Sequence, residues 1–502
     1  MGNAQGTGAK GTTGFVVQVD KGVLPPPSSI TYEGMFYNHY FDIGPSEKEK
    51  HFNPRFFKSQ SRNPISGEIE RHICVGLSGK LDGQGLYELN ERWPINVVIA
   101  LDVSNSMNSL MCANGTKTAI AVAKDSLVGL LPNLKDNDKL GIILFDRSTE
   151  VLLPLTTWSD VNTEMLKFKI SKITTRYGTN LQRGFAASKK MLEDALTTEK
   201  REQRIIFFTD MKITRGRFAY RLQSHFISAA KKDVYTTFVG IGDDFDTGAV
   251  EIISKTRGSN YFTVRTPKEF NALLQTEFDY ITTCNCHDIE IGFESKKVWA
   301  RRIYGSPGFE KPQSGILCKM ASSCPSRSDD LGRMRGSVVL VEIRNHGQDL
   351  DETLCFNTSY TTRTGDHVQI DSNISFTSTN SEEEYFENNC IRKTVLLARY
   401  VNLIKSFLQR PRFPSTKPFF HCFSTKNSPL TIRVGWTSHM ISLTSSFNAT
   451  LIGDWLTTFD TFKKYMEKEM EILSSDDEEA LTKELELFET IHQIIKEKQR
   501  KR

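Results

Sequence analysis

Ile95-Asn96-Val97-Val98-Ile99-Ala100-Leu101-Asp102-Val103-Ser104-Asn105-Ser106 is the stretch whose reading decides the fold. An apolar, largely β-branched run stops abruptly at an aspartate, and two serines follow at alternate positions. Such a run fits a strand buried on both faces, as in a parallel sheet. Its end delivers three oxygen-bearing side chains to the loop at the carboxyl edge, where open α/β sheets bind their ligands.

The same pattern recurs downstream. Residues 139–145, 204–209 and 234–240 are further buried-strand runs. Between them, residues 118–131 place Ile120, Ala123, Leu127, Leu130 and Leu131 on one helical face. Residues 180–196 repeat this with Leu181, Phe185 and Leu192, and residues 217–232 form a third amphipathic segment. Strands alternating with helices of this length predict an α/β, doubly wound, mostly parallel sheet over residues 93–283.

On either side the character changes. Residues 284–382 carry short runs of period two separated by turn residues, which predicts a β-sandwich-like domain with no catalytic pattern in it. Residues 30–92 hold a strand near 73–77 and the aromatic cluster Tyr32, Phe36, Tyr37, Tyr40 and Phe41. With no basic stripe beside them, these rings suit a core plug rather than base stacking, and the segment is assigned to the β-rich region. Residues 383–502 form a helical C-terminal region. Its stripes are Leu397, Tyr400, Val401, Ile404 and Phe407, then Trp455, Phe459, Phe462, Met466 and Met470. A third stripe, Leu481, Leu485, Phe488, Ile491 and Ile495, follows a capping box at Ser475-Asp476-Asp477-Glu478. Helices of this kind pack on one another as in a bundle or coiled coil, and Pro411, Pro414 and Pro418 mark a loop between them. Residues 1–29 read as a disordered N-terminal tail ending in the extended tether Leu24-Pro25-Pro26-Pro27. Gly2 after the first Met partly fits N-myristoylation, although Gly6 stands where Ser or Thr is preferred. Myristate at Gly2 would give marginal, reversible peripheral attachment to a membrane, as in a lipoprotein.

Composition excludes several function classes. Over 502 residues the formal net charge is +4 with basic and acidic residues interspersed, so neither nucleic acid nor an acidic membrane surface is implied as a partner. No run approaches the roughly 18 apolar residues of a transmembrane span, and the first residues lack a hydrophobic signal core. Nine scattered cysteines, an odd number, fit reduced thiols and a cytoplasmic chain. There is no P-loop, G-x-S-x-G elbow or dinucleotide fingerprint. Cys284-Asn285-Cys286-His287 falls short of the four ligands of a closed zinc site and reads as buried thiols. His421-Cys422 lacks an orienting third group. The expectation is a protein that is not an enzyme.

What remains is oxygen chemistry. Asp102, Ser104 and Ser106 follow the first strand, Tyr177-Gly178-Thr179-Asn180 precedes a helix, and Thr209-Asp210 ends another strand. If those strands are parallel neighbours, Thr179 and Asp210 come near Asp102. Two carboxylates and three hydroxyls without His or Cys suit a hard divalent cation: Mg2+, with Mn2+ or Ca2+ as alternatives. The D-x-S-x-S set, the Gly178-Thr179 turn and the Thr209-Asp210 pair resemble, in order and spacing, the metal-ion-dependent adhesion site (MIDAS) of von Willebrand factor type A (VWA) domains. Residues 239–245 and 257–262 look like the later half of the domain in cytoplasmic or membrane-associated bacterial and protist VWA proteins.

The resemblance implies that Ser104, Ser106 and Thr179 ligate the metal directly. Asp102 and Asp210 would be the acidic pair, bound directly or through water, and a Glu or Asp of a partner protein would complete the sphere. Asn105 and Met211 depart from the family pattern at places where Gly is common, without removing an oxygen. Two roles follow: an intracellular interaction module that captures an acidic partner residue through the cation, or a scaffold that binds through its helical tail while a structural metal staples three loops.

Overall fold

A computed structural model describes residues 13–45, 47, 49–111, 116–195, 199–210, 217–241, 256–264, 267–306, 315–345, 352–376, 383–409, 455–473 and 478–500. At its centre six strands form one sheet: β1 (Ile95–Asp102), β2 (Lys139–Phe145), β3 (Thr149–Thr157), β4 (Glu202–Thr209), β5 (Val234–Ile241) and β6 (Asn260–Val264). Their order is β3-β2-β1-β4-β5-β6, and only β3 runs antiparallel to its neighbour. Every residue of β1, β4 and β5 is buried, which is why these strands read as nearly unbroken apolar runs. The edge strand β3 is only half-buried, so its sequence carries no such run and escaped the reading above.

Alternate residues of β1 divide between two cores, as the period of a strand requires. Val97, Ile99 and Leu101 face Leu127 of helix Ala119–Leu130 and Phe270 and Leu274 of helix Pro267–Thr276. Val98 and Ala100 face Phe185 of helix Leu181–Glu193 and Phe226 of helix Arg217–Ala230. The sheet is thus covered on both sides, and its strand order reverses between β1 and β4. That reversal leaves a crevice beyond their carboxyl ends.

Two antiparallel sheets make the sandwich. One orders Ile316–Ser323, Cys286–Phe293, Glu352–Thr362 and His367–Phe376; the other orders Val298–Tyr304, Val338–Asn345, Ile69–Ser78, Asn53–Arg62 and Tyr385–Phe386. The hairpin Asn53–Arg62 with Ile69–Ser78 therefore completes a sheet whose other strands lie after the α/β unit. Ile73, Val75, Leu77, Ile289, Ile291 and Phe356 fill the space between the two layers.

The termini differ from the sequence reading in two places. The disordered tail expected over 1–29 is corrected for its second half: Thr13–Asp20 is a helix whose Phe15 and Val19, one turn apart, are buried against the C-terminal helices. Residues 1–12, Gly2 included, lie outside the described residues. The helix expected from 383 begins later, as Asn389–Gln409. Tyr385–Phe386 instead pairs with Asn53–Arg62 as an edge strand, and the Asn388 side chain accepts the Ile391 amide at 3.1 Å to start the helix. The remaining helices are Trp455–Leu473 and Glu478–Arg500. Ser475 and its capping box, residues 411–418 and His421-Cys422 lie outside the described residues. Tyr400, Phe407, Phe459, Phe462, Met466 and Phe488 are buried in one core with Tyr32 and Phe36 of the aromatic cluster. No described helix is long and apolar enough to cross a membrane.

One buried ion pair ties the entry of the sheet together. Arg92 donates from Nη1 and Nη2 to the two oxygens of Asp138 at 2.6 and 2.8 Å, and from Nε to Asp279 at 3.0 Å. Asp138, fully buried, also accepts the backbone N–H groups of Ile95 and Lys135. Removing the guanidinium leaves a buried carboxylate with amides alone to stabilise it. Arg92→Ala is expected to cost about 3–5 kcal/mol in urea denaturation; a loss under about 1 kcal/mol would show that the two amides suffice.

Candidate metal centre

β1 and β4 run side by side in register, Leu101 opposite Phe208, so Asp102 and Thr209 end at the same level. The Asp102 carboxylate accepts the Ser104 backbone N–H through Oδ1 at 2.8 Å and the Thr209 hydroxyl through Oδ2 at 2.7 Å. The first bond folds the chain back immediately after the strand, and the second fixes the carboxylate against β4. Ser106 donates to Asp210 Oδ1 at 2.9 Å, and the Ser104 and Ser106 hydroxyl oxygens lie 3.0 Å apart. With the Ser106 proton committed to Asp210, Ser104 donates to Ser106. Four of the five predicted residues thus form one connected network, running from buried Asp102 and Ser104 to exposed Ser106.

Thr179 arrives on a separate loop. Arg176 donates its backbone N–H to Val103 O at 2.6 Å and bridges Ser104 in parallel fashion, which draws this loop alongside the first. Gly178 then turns with φ +85°, and a Cβ there would lie 2.3 Å from Arg147 Cγ, so the position needs glycine on both counts. Asn180 caps helix Leu181–Glu193 by accepting the Arg183 N–H at 3.0 Å. Thr179 is half-buried between turn and cap, and among the described residues no hydrogen bond joins it to the other four. Met211 lies outside the described residues. The residue undervalued in the sequence is Thr209, named only as a companion of Asp210; its signal was a hydroxyl closing an otherwise apolar strand.

The electrostatics are lopsided. Among the described residues neither Asp102 nor Asp210 is in an ion pair. Burial pushes Asp102 up to about 6, against the hydrogen bonds from Thr209 and Ser104, and the nearby Asp210 charge adds to the rise. Burial also raises Asp210. Two carboxyl groups held together by hydroxyl donors without a cation fit a hard divalent ion, whose charge and preference for oxygen match the donors present. Elsewhere, no group of three or more His, Cys, Asp or Glu among the described residues is placed to hold a metal, so Cys284, Cys286 and His287 do not form such a site.

The raised Asp102 pKa has a defined sign. Because the folded chain holds this proton more tightly than the unfolded chain does, stability should fall as pH rises from about 4 to about 6, and stay lower above that. In chelator, Asp102→Asn should therefore gain on wild type across this interval, by on the order of 3 kcal/mol at pH 8. Urea denaturation over a pH series checks this; a constant offset between the two proteins would contradict it.

Comparison with protein families agrees with the architecture of the α/β unit. Residues 97–212 match the family model described as the von Willebrand factor type A domain. Among solved structures, the chain is similar to a von Willebrand factor type A protein from Catenulispora acidiphila at 12% identity and TM-score 0.46, covering 70% of this chain and 80% of that one. It is similar also to the ArnB paralog VWA2 from Sulfolobus acidocaldarius, at 17% identity and TM-score 0.36, over 71% and 85%. A third is proximal thread matrix protein 1 from the mussel byssus, in a structure described as having a zinc-occupied MIDAS motif, at 17% identity and TM-score 0.30 over 36% and 46%. No curated protein matches the sequence. The match over β1 to β4, on a sheet whose switch point carries the D-x-S-x-S loop, identifies residues 97–212 of this chain as a von Willebrand factor type A domain.

Proposed function

We propose that the protein is a metal-dependent interaction module that captures an acidic side chain of a partner protein at the crevice between β1 and β4. VWA domains commonly mediate protein interactions and often bind a divalent metal. The observation that carries the reading for this chain is the Asp102–Ser104–Ser106–Asp210 network, two carboxyl groups with no cationic partner among the described residues, at the sheet's switch point. Ser104, Ser106 and Thr179 would present hydroxyl oxygens, while Asp102 and Asp210 would supply the balancing negative charge. Mg2+, or Mn2+ or Ca2+, held there supplies a Lewis-acidic face to which a partner's Glu or Asp adds an oxygen. The role is binding rather than turnover.

The rim of the crevice supports a protein partner. Tyr177, 81% exposed, stands immediately before the Gly178-Thr179 turn, and Leu110, 54% exposed, lies on the loop beyond Ser106. Apolar side chains around a charged centre are the usual composition of a protein contact. The scaffold alternative gains less support. It needs an apolar face on the C-terminal helices, yet Phe459, Phe462, Met466 and Phe488 are already buried against one another and the aromatic cluster.

Pull-down from lysate with the full chain in Mg2+ and in chelator tests the proposal. Partner capture should fall at least about tenfold in chelator, and equally with Asp102→Ala in Mg2+. The double change Ser104→Ala with Ser106→Ala should lose capture while retaining its thermal melt. Capture that persists in chelator, with a lowered melt for the double variant, would favour a metal that only staples the loops.

A further inference from the structure

At the opposite, amino end of the same sheet lies a second polar cluster. Arg204 of β4 is completely buried, yet among the described residues no carboxylate is within ion-pair distance of it. Nη1 donates to Gly258 O and Asn260 Oδ1 at 2.9 Å and to Thr237 Oγ1 at 3.2 Å, and Nη2 donates to Cys284 Sγ at 3.5 Å. All the oxygen partners are neutral. The Glu202 charge acts on this guanidinium only through space, and among its hydrogen-bond partners the one able to become an anion is the Cys284 sulfur. Cys324 completes the group: its Sγ accepts from Asn260 Nδ2 at 3.5 Å, and it shares one small buried cluster with Cys284, Tyr235 and Ala230. The two cysteines come from different elements. Cys284 sits in the link between the α/β unit and strand Cys286–Phe293, and Cys324 follows strand Ile316–Ser323.

Cys284 is 1% exposed and Cys324 2%, but Cys284 borders a space large enough for a small molecule. It lines a cavity of about 370 Å³ together with Trp93, Tyr235, His287, Arg363 and the exposed Lys200. Thiolates beside a guanidinium are the reactive ones, provided a reagent can approach. The neighbouring Cys324 thiol, assisted by the Arg204 charge, pulls the Cys284 thiol below its ordinary range, and the same proximity with burial pushes Cys324 well above. Cys74 and Cys390 form a contrasting thiol pair. They lie in the apolar core under helix Asn389–Gln409, where no described guanidinium touches either sulfur.

We propose that Cys284 and Cys324 are a peroxide-reactive dithiol, with Cys284 the attacking thiolate held by Arg204 and Cys324 the resolving thiol. The Cys284 sulfur attacks one oxygen of a hydroperoxide; the S–O bond forms as the O–O bond breaks. Cys284 is oxidised by two electrons to the sulfenic acid, and the leaving oxyanion takes the Cys324 proton. The Cys324 sulfur then attacks Cys284; the S–S bond forms, the S–O bond breaks, and the departing hydroxide takes from solvent the proton that Cys284 released on ionising. With hydrogen peroxide the sum is two thiols and one peroxide giving one disulfide and two waters.

The test treats the full native chain with hydrogen peroxide, blocks remaining thiols and maps the cysteines by mass spectrometry. The Cys284–Cys324 linked peptide should accumulate at least about tenfold faster than exposed Cys355 is oxidised, while Cys74 and Cys390 stay reduced. Cys324→Ser should stop the reaction at a Cys284 sulfenic acid that dimedone labels. Oxidation of Cys355 first, with no Cys284–Cys324 linkage in the wild-type chain, would overturn the proposal without recourse to any variant.

Discussion

A carboxylate at the end of a strand with no exposed residue is the constraint on which the rest of this structure turns. β1 is buried along its whole length, so Asp102 is out of water before any partner is considered. Each of its oxygens must find a donor, and the chain supplies one from the next turn, Ser104 N–H, and one from the neighbouring strand, the Thr209 hydroxyl. Those two bonds determine where the loop goes after β1 and hold it to the end of β4. The Ser106 bond to Asp210 extends the same network to the surface. The site is therefore a consequence of how the sheet disposes of a buried charge.

The sandwich gives that sheet a fixed base. Arg363, from the turn after strand Glu352–Thr362, reaches under β4, pairs with Glu202 at 2.7 Å and lies 3.8 Å from the Trp93 ring centroid. Arg335, on the short strand Met334–Arg335 that pairs with Tyr40–Phe41, bonds to Glu277 at 2.6 Å next to the Tyr37 ring. Cations from outside the α/β unit thus meet its anions while their flat faces cover aromatic rings, which suits arginine better than lysine. Because the hairpin Asn53–Arg62 with Ile69–Ser78 belongs to the sandwich, the chain enters and leaves the α/β unit on this same side.

The parts of this arrangement legible in the sequence were those where burial is uniform. β1, β4 and β5 could be read because both faces are covered, and the apolar stripes of Asn389–Gln409 and Trp455–Leu473 because each faces one core. The donors Asp102, Ser104 and Ser106 stood out against an apolar run, and Thr179 and Asp210 became meaningful through their order along the chain. β3 stayed hidden because an edge strand does not need an apolar sequence. The helix Thr13–Asp20 was missed because it is short and its stability comes from Phe15 and Val19 packing on distant helices. Arg204 gave no warning: one arginine at the start of an apolar run looks like a strand boundary, and its neighbours Asn260, Cys284 and Cys324 are far away in sequence.

The two ends of β4 pose opposite electrostatic problems. At the carboxyl end the chain gathers Asp102 and Asp210, and among the described residues it supplies hydroxyls and amides but no ion pair, so the deficit there is of positive charge. At the amino end it buries Arg204 with neutral oxygens as its hydrogen-bond partners and Glu202 acting only through space, and the one bonded partner that can ionise is a sulfur. Neither arrangement would arise if folding stability alone were served, because replacing these groups with apolar residues of similar size is often neutral or stabilising. Each end retains instead a charge that a ligand or a reaction can alter. What separates them is the setting: among the described residues exposed Tyr177 and Leu110 stand beside the carboxylates, whereas the buried thiol borders a cavity between the sheet and the sandwich. The first setting suits a macromolecular partner, and the second something small.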